Sequence, residues 1–360
     1  MMMKCVLKRN LTIFLSFLAF ALCAQIPAGY YNNAEGKKQA ALKTALCAII
    51  RPHTVFSYGG TSTWSCFAKT DVDANGKCWD MYSTTRNSFN AGNTSISGMN
   101  IEHSVANSWW GHTTNDAYKD IHHLNPSDAT ANSRKSNYPM GYVTTVTYTN
   151  GVTKVGTGTP DGLTTSMKLF EPADEYKGDF AREFMYVITC YEEMATANMW
   201  VSTGLTALSN TTYPTMLDWY SKLLLKWNRE DTVSQKEIDR NNAIYSLQHN
   251  RNPFIDHPEL AEYIWGNKQD VVWYVATGID TQTINELATY PNPAKERLFV
   301  RAESTETAIY TIYNICGQPI QNGKFDAENS IALDGIPNGY YILKVEMDNK
   351  LYVAKFIVSK

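Results

Sequence analysis

Three hundred and sixty residues with a mass of 40.5 kDa exceed one minimal domain and predict two, with ample chain for a sizeable core. Hydrophobic residues at 44% and charged residues at 19% exclude wholesale disorder, a collagen-like chain and a disulfide-dense miniature. A net charge of −3 and a pI near 6.2 exclude an overall basic field, so any contact with a polyanion must be a local site.

Residues 1–24 read as an export signal. Lys4, Lys8 and Arg9 form a positive start, an apolar run extends from Leu11 to Cys23, and cleavage after Ala24 leaves Gln25 at the new terminus. The run is short for a membrane span, and no later stretch reaches the length of one. Cys23 lacks a lipidation context, since Phe20-Ala21-Leu22 precede it. Five cysteines then remain: Cys47, Cys66, Cys78, Cys190 and Cys316. An odd number forbids complete pairing within one chain, and Cys66 and Cys78 flank a polar turn that a disulfide could close. Cys47 and Cys190 fall in helical patterns and read as buried thiols.

Helical segments between polar loops follow, over residues 25–280. Lys37 to Ile50 places Leu42, Leu46 and Ile50 on one face. Phe180, Phe184, Val187, Ile188 and Tyr191 repeat the helical period. Met216–Trp227 and Val233–Leu247 are two more helices, the last opening on a Ser234/Glu237 capping box. Asp71-Val72-Asp73-Ala74-Asn75-Gly76 starts like a calcium loop, but Tyr82 stands where a bidentate Glu is required, so a polar turn is expected. The character changes at a polar linker, residues 281–289. From Tyr290 to Lys360, short strands (Arg297–Arg301, Ala308–Ile315, Tyr340–Met347, Tyr352–Val358) alternate with turn pairs such as Asn322-Gly323 and Asp334-Gly335. The fold class expected is α+β: a mainly helical domain and a small C-terminal Ig-like β-sandwich. With +3 in the signal and −1 in residues 281–360, residues 25–280 carry −5.

The densest polar chemistry lies between Asn100 and Asn137. Ile101-Glu102-His103 sits on a short strand, and Ile121 to Leu124 reads as a second. Ser127 or Asp128 caps a helix that carries Asn132. Strand, loop, strand, helix is a β-hairpin folded against a helix, able to hold one hard cation. Glu102 offers an anionic oxygen and Asn132 a carbonyl oxygen, and Mg²⁺ needs few protein ligands because it retains water. His103 is the natural general base, its intrinsic pKa being near neutrality. Adjacent strand residues point to opposite faces, so Glu102 and His103 share a site only at a strand end or bulge.

Five runs resemble the bacterial endonuclease I family: Ile101-Glu102-His103, Asp120-Ile121-His122-His123-Leu124, Asn132 to Asn137, Phe170 to Asp179, and Gln248 to Glu259. The resemblance covers about residues 26–266 in consistent order. It implies an extracellular or periplasmic nuclease built on a His-Me (ββα-metal) finger, cutting DNA and often RNA with little sequence preference and leaving 5′-phosphate ends. His103 is then the base, and Glu102 and Asn132 ligate Mg²⁺ or another divalent ion such as Mn²⁺ or Ca²⁺. Arginines hold phosphate in this family. No Arg stands between His103 and Asn132, so Arg134, Arg182 and Arg251 are the candidates. Of the neighbouring histidines, one of His122 and His123 is expected in the core, and neither as a metal ligand. His112, His249 and His257 are expected to be structural or superficial, and Trp109-Trp110 to pin a loop.

Tyr290-Pro291-Asn292-Pro293 to Val300 and the ending Val353 to Lys360 resemble the C-terminal sorting domain of type IX secretion. That resemblance implies recognition by the type IX machinery, passage across the outer membrane, and release or surface attachment with removal of this domain; a monomer is expected. The competing reading is a surface nucleic-acid-binding or adhesive protein without catalysis. A third is a metal-dependent phosphoesterase of small substrates, which would cut a nitrophenyl phosphodiester but little long DNA.

Overall fold

A computed structural model describes residues 26–275, 285–301, 308–315, 317–325, 329–347 and 350–360. The signal segment, residues 281–284 of the linker and Cys316 lie outside the described residues. The chain divides into two compact units between Val275 and Ala276.

In the first unit, α1 (Gln39–Ile50) turns Leu42, Leu46 and Ile50 inward, the face its periodicity predicts. Helix α2 (Gly60–Thr70) has no counterpart in the sequence reading. A hairpin follows, β1 (Met99–His103) pairing antiparallel with β2 (Leu124–Asp128), and the chain enters α3 (Ala129–Lys135) directly. Strands β3 (Thr145–Thr149), β4 (Lys154–Gly158) and β5 (Met167–Glu171) form an antiparallel sheet in that order. Helix α4 (Lys177–Cys190) is buried along its whole length and forms the centre of the main apolar cluster. Helices α5 (Asp218–Glu230) and α6 (Gln235–Gln248) follow, and the short helices Pro253–Asp256 and Leu260–Ile264 come after them. At the start of α6 the expected capping box is present: Ser234 accepts from the Glu237 amide, and Glu237 reaches back to the Ser234 amide.

The second hairpin strand begins three residues later than the sequence reading has it. Ile121–His123 is a 3-10 turn rather than a strand. Two contacts explain this. Asp120 accepts from the His122 amide at 2.9 Å, and the Arg240 guanidinium takes the carbonyls of Ile121 and Leu124 at 2.8 and 2.7 Å. Those carbonyls therefore serve α6 and not a neighbouring strand.

The Asp71–Gly76 segment is a polar turn, as expected. Asp73 Oδ1 accepts the amides of Asn75 and Lys77, both at 2.8 Å, while Asp71 pairs with Arg240 at 2.9 Å. The Cys66–Cys78 bridge is not formed. Both are free thiols in one apolar cluster with Trp64 and Phe67, and burial pushes the Cys66 thiol up to about 11.

The second unit is two sheets around one apolar core. Thr289–Tyr290, Arg297–Val300 and Ser330–Ala332 form the smaller sheet. Asn285–Glu286, Ile309–Asn314, Pro319–Lys324, Gly339–Met347 and Lys350–Val358 form the larger. Leu298, Val300 and Ile331 from the first meet Ile312, Leu343, Val345 and Phe356 from the second. One expected turn is not a turn: Asn322-Gly323 lies inside the strand Pro319–Lys324. Gly323 pairs with Tyr310, whose hydroxyl would stand 3.1 Å from a Cβ there, so the glycine makes room for an aromatic ring. Among the described residues, no helix is long and apolar enough to cross a membrane.

Candidate active site

The hairpin register sets Glu102 opposite Asn125 and His103 opposite Leu124, with His103 the last residue of β1. That is the strand end the side-chain geometry requires. Asp128 N-caps α3, its Oδ1 accepting the Ala131 amide at 2.7 Å, and Asn132 follows one turn later. Glu102, His103 and Asn132 line one cleft of about 730 Å³, together with Tyr58, Asn107 and Asn137. None of the residues lining this cleft is Lys or Arg.

The His103 ring sits in an aromatic cluster. It stacks on Tyr58 at 5.2 Å between centroids, lies against Tyr118 at 4.8 Å, and stands 5.6 Å from His123. Its Nε2 lies 3.0 Å from the Tyr118 carbonyl oxygen. A carbonyl can only accept, so the proton of the neutral ring sits on Nε2 and Nδ1 keeps its lone pair. Burial pushes the imidazole down to about 3, helped by His123 and Lys135 and opposed by the Tyr118 bond. At neutral pH the ring is therefore uncharged, with Nδ1 open to a proton but a weaker base than a solvated imidazole.

Glu102 is buried, and its Oε1 accepts from two donors: Lys135 Nζ at 2.7 Å and Tyr82 Oη at 3.0 Å. Burial raises the carboxyl pKa, and the Lys135 ammonium and Tyr82 hydroxyl pull it back. Among the described residues, neither contact falls on Oε2. Asn132 Nδ2 donates to Ser127 Oγ at 3.3 Å, which orders the amide and leaves its carbonyl oxygen as the group for a cation. Among the described residues, no cluster of three or more His, Cys, Asp or Glu could hold a metal. The donor set is one carboxylate and one amide, which fits a hard ion that retains most of its water.

The three candidate arginines are not brought to the cleft. Arg182 is fully buried. It gives Nη2 to Glu237 at 2.9 Å, and Nη1 to Asn228 and the Asp231 carbonyl at 3.1 and 2.8 Å. Arg251 closes a buried turn on Asp256 at 2.6 and 2.7 Å. A guanidinium placed this way holds elements together and offers nothing to a phosphate. Arg134 is exposed on α3 itself but does not line the cleft, its guanidinium 5.4 Å from the Tyr148 ring centroid.

Both His122 and His123 are buried, with Nε2 on the carbonyls of Asn250 (3.3 Å) and Ala117 (2.6 Å). His123 borders His103 from the core side. Exposed His112 lines the cleft mouth, while Trp109 and Trp110 are buried and anchor their loop. The sequence reading missed Tyr58, Tyr82, Tyr118 and Lys135. Lys135 sits in the quoted run Asn132 to Asn137, three positions after Asn132, and that helical spacing was the available signal.

A hairpin and helix that place an uncharged histidine, a carboxylate and an amide in one cleft define a hydrolytic class, and the comparisons give it a family. A family model described as Endonuclease I matches residues 38–259, and one described as Secretion system C-terminal sorting domain matches residues 288–359. Two extracellular ribonucleases are similar to the chain. That of Bacillus subtilis (strain 168) is 34% identical over 243 residues, 66% of this chain and 78% of that one. That of Bacillus amyloliquefaciens is 36% identical over 242 residues, with the same coverage. The chain belongs to the endonuclease I family and is a secreted nuclease carrying a type IX sorting domain at its C-terminal end.

Proposed function

We propose that the first unit is a non-specific, divalent-metal-dependent endonuclease that hydrolyses phosphodiester bonds of DNA and RNA, and that the hairpin with α3 is a His-Me finger. The observation that carries this reading is the convergence of Glu102, His103 and Asn132 on one cleft, with the His103 tautomer set by the Tyr118 carbonyl. Both relatives are named as ribonucleases, which supports the RNA part of the expected substrate range. Glu102 and Asn132 would hold the cation, which when bound supplies positive charge to the phosphate and the leaving oxygen.

The chain's own residues do the rest. His103 Nδ1 takes a proton from a water whose oxygen attacks phosphorus, and the charge left on the ring is spread toward the Tyr118 carbonyl. The bond to the 3′-oxygen breaks, that oxygen takes a proton from solvent, and the products end in 5′-phosphate and 3′-hydroxyl. Tyr58 and Tyr118 keep the imidazole from rotating, so Nδ1 stays aimed. The second unit, read as an Ig-like sandwich, addresses the chain to the type IX machinery after removal of the signal segment.

The test is cleavage of plasmid DNA and of a structured RNA by the full chain, with and without EDTA, beside a Glu102→Ala/His103→Ala control. Cutting of both by the unaltered chain alone, abolished by EDTA and restored by Mg²⁺, is expected. A folded chain that cuts neither polymer with any common divalent ion would end this reading.

A further inference from the structure

Lys135 is 1% exposed, on the last turn of α3, and its ammonium lies 2.7 Å from Glu102 Oε1. Among the described residues it has no second carboxylate partner. A lysine is rarely buried this fully without a reason, because desolvating its charge is costly. The obvious reason is to neutralise Glu102, yet Glu102 is the one carboxylate that the proposed cation site possesses. The cation and the lysine therefore call on the same group. Tyr82 shares Oε1 with Lys135, so the hydroxyl alone would hold the carboxylate in place if the ammonium were absent.

We propose that Lys135 is a resident counter-cation: it competes with the divalent ion for Glu102 and keeps the ion weakly bound, so that the ion's charge is left for substrate phosphates. This rests on the reading that Glu102 and Asn132 hold the ion. The physical ground is Coulombic. Two positive charges that share one carboxylate repel across a few ångströms of poorly screened interior, and that repulsion reduces the affinity of whichever can leave. Lys135 is tethered, so the cost falls on the ion. No Lys or Arg is among the cleft's lining residues, so the under-neutralised ion becomes the main positive charge that a phosphodiester meets. Lys135 is a positioning residue in this scheme and does not touch substrate.

The experiment measures Mn²⁺ binding to the full chain by the electron-spin signal of the free ion, without nucleic acid. Lys135→Met and Lys135→Gln remove the charge, Gln keeping a donor for Oε1, and Lys135→Arg keeps the charge. Both neutral variants are expected to bind Mn²⁺ at least ~10-fold more tightly than the unaltered chain, with Arg close to it. Gln also serves if Met does not fold, as circular dichroism will show. Unchanged or weaker binding by a folded neutral variant, or a tenfold gain in Lys135→Arg, overturns the inference. Glu102→Gln separates the two readings. If it abolishes Mn²⁺ binding while the Lys135 variants fail to tighten it, only the role of Lys135 falls. If it binds as the unaltered chain does, the cation-site reading itself falls.

Discussion

His103 has to satisfy two demands, immobility and access to water. The structure meets the first with the packed pair Tyr58 and Tyr118 against the ring and a carbonyl on Nε2, and the second by placing the ring at the end of β1, where the cleft opens. Little of the fold depends on the imidazole itself, since Tyr58 and Tyr118 also contact each other, at 4.3 Å. His103→Ala is therefore expected to lower turnover by at least ~10²-fold with the fold intact. Steady-state cleavage of an oligonucleotide, alongside near-UV circular dichroism, measures both; near-normal turnover would remove His103 from the role of base. The residues of the site differ in how far the sequence exposes them. Glu102, His103 and Asn132 are legible because they fall in short, ordered runs. Lys135 is not, because its partner lies on another element and nothing local states that two charges 33 positions apart are buried together. Arg182 and Arg251 mislead for the same reason: a sequence shows a guanidinium but not the carboxylates of Glu237 and Asp256 that already hold it.

At the scale of elements, the β1–β2 hairpin is held by α6 as well as by its own pairing. Arg240 reaches from that helix to the carbonyls of Ile121 and Leu124, which flank the turn into β2, and to the carboxylate of Asp71. All of these groups lie away from solvent, so the guanidinium supplies a counter-charge and hydrogen bonds that water does not replace. Arg240→Met keeps much of the volume but leaves Asp71 buried without its counter-charge. A loss of ~3–5 kcal/mol in unfolding free energy is expected, the scale for breaking a buried ion pair from one side. Urea denaturation measures it, and a loss below ~1 kcal/mol would show that the clip is dispensable. Helices with a clear apolar stripe or cap, such as α1 and α6, are legible in the sequence. Helix α2 is not, because Gly59-Gly60-Thr61-Ser62 reads as turn chemistry although it begins a helix. The β3–β5 sheet is absent from the sequence reading although β3, Thr-Val-Thr-Tyr-Thr, alternates and is rich in β-branched residues; that strand signal stands in the sequence.

At the scale of the molecule, two apolar cores are built from separate stretches of chain. The main clusters of the first unit draw only on residues up to Val275, and the cluster of the second starts at Leu287. Each Glu102, His103 and Asn132 contact named above lies within the first unit, and so does every residue lining the cleft. The candidate site is therefore built from the first unit's own residues. Calorimetry of the chain from Gln25 onward is expected to resolve two transitions, since units with separate cores need not unfold together. Truncation after Asp280 should remove one transition, leave the midpoint of the other in place, and preserve the rate of DNA cleavage per molecule. A single transition in the longer chain, lost or strongly shifted on truncation together with activity, would show that the two cores depend on each other.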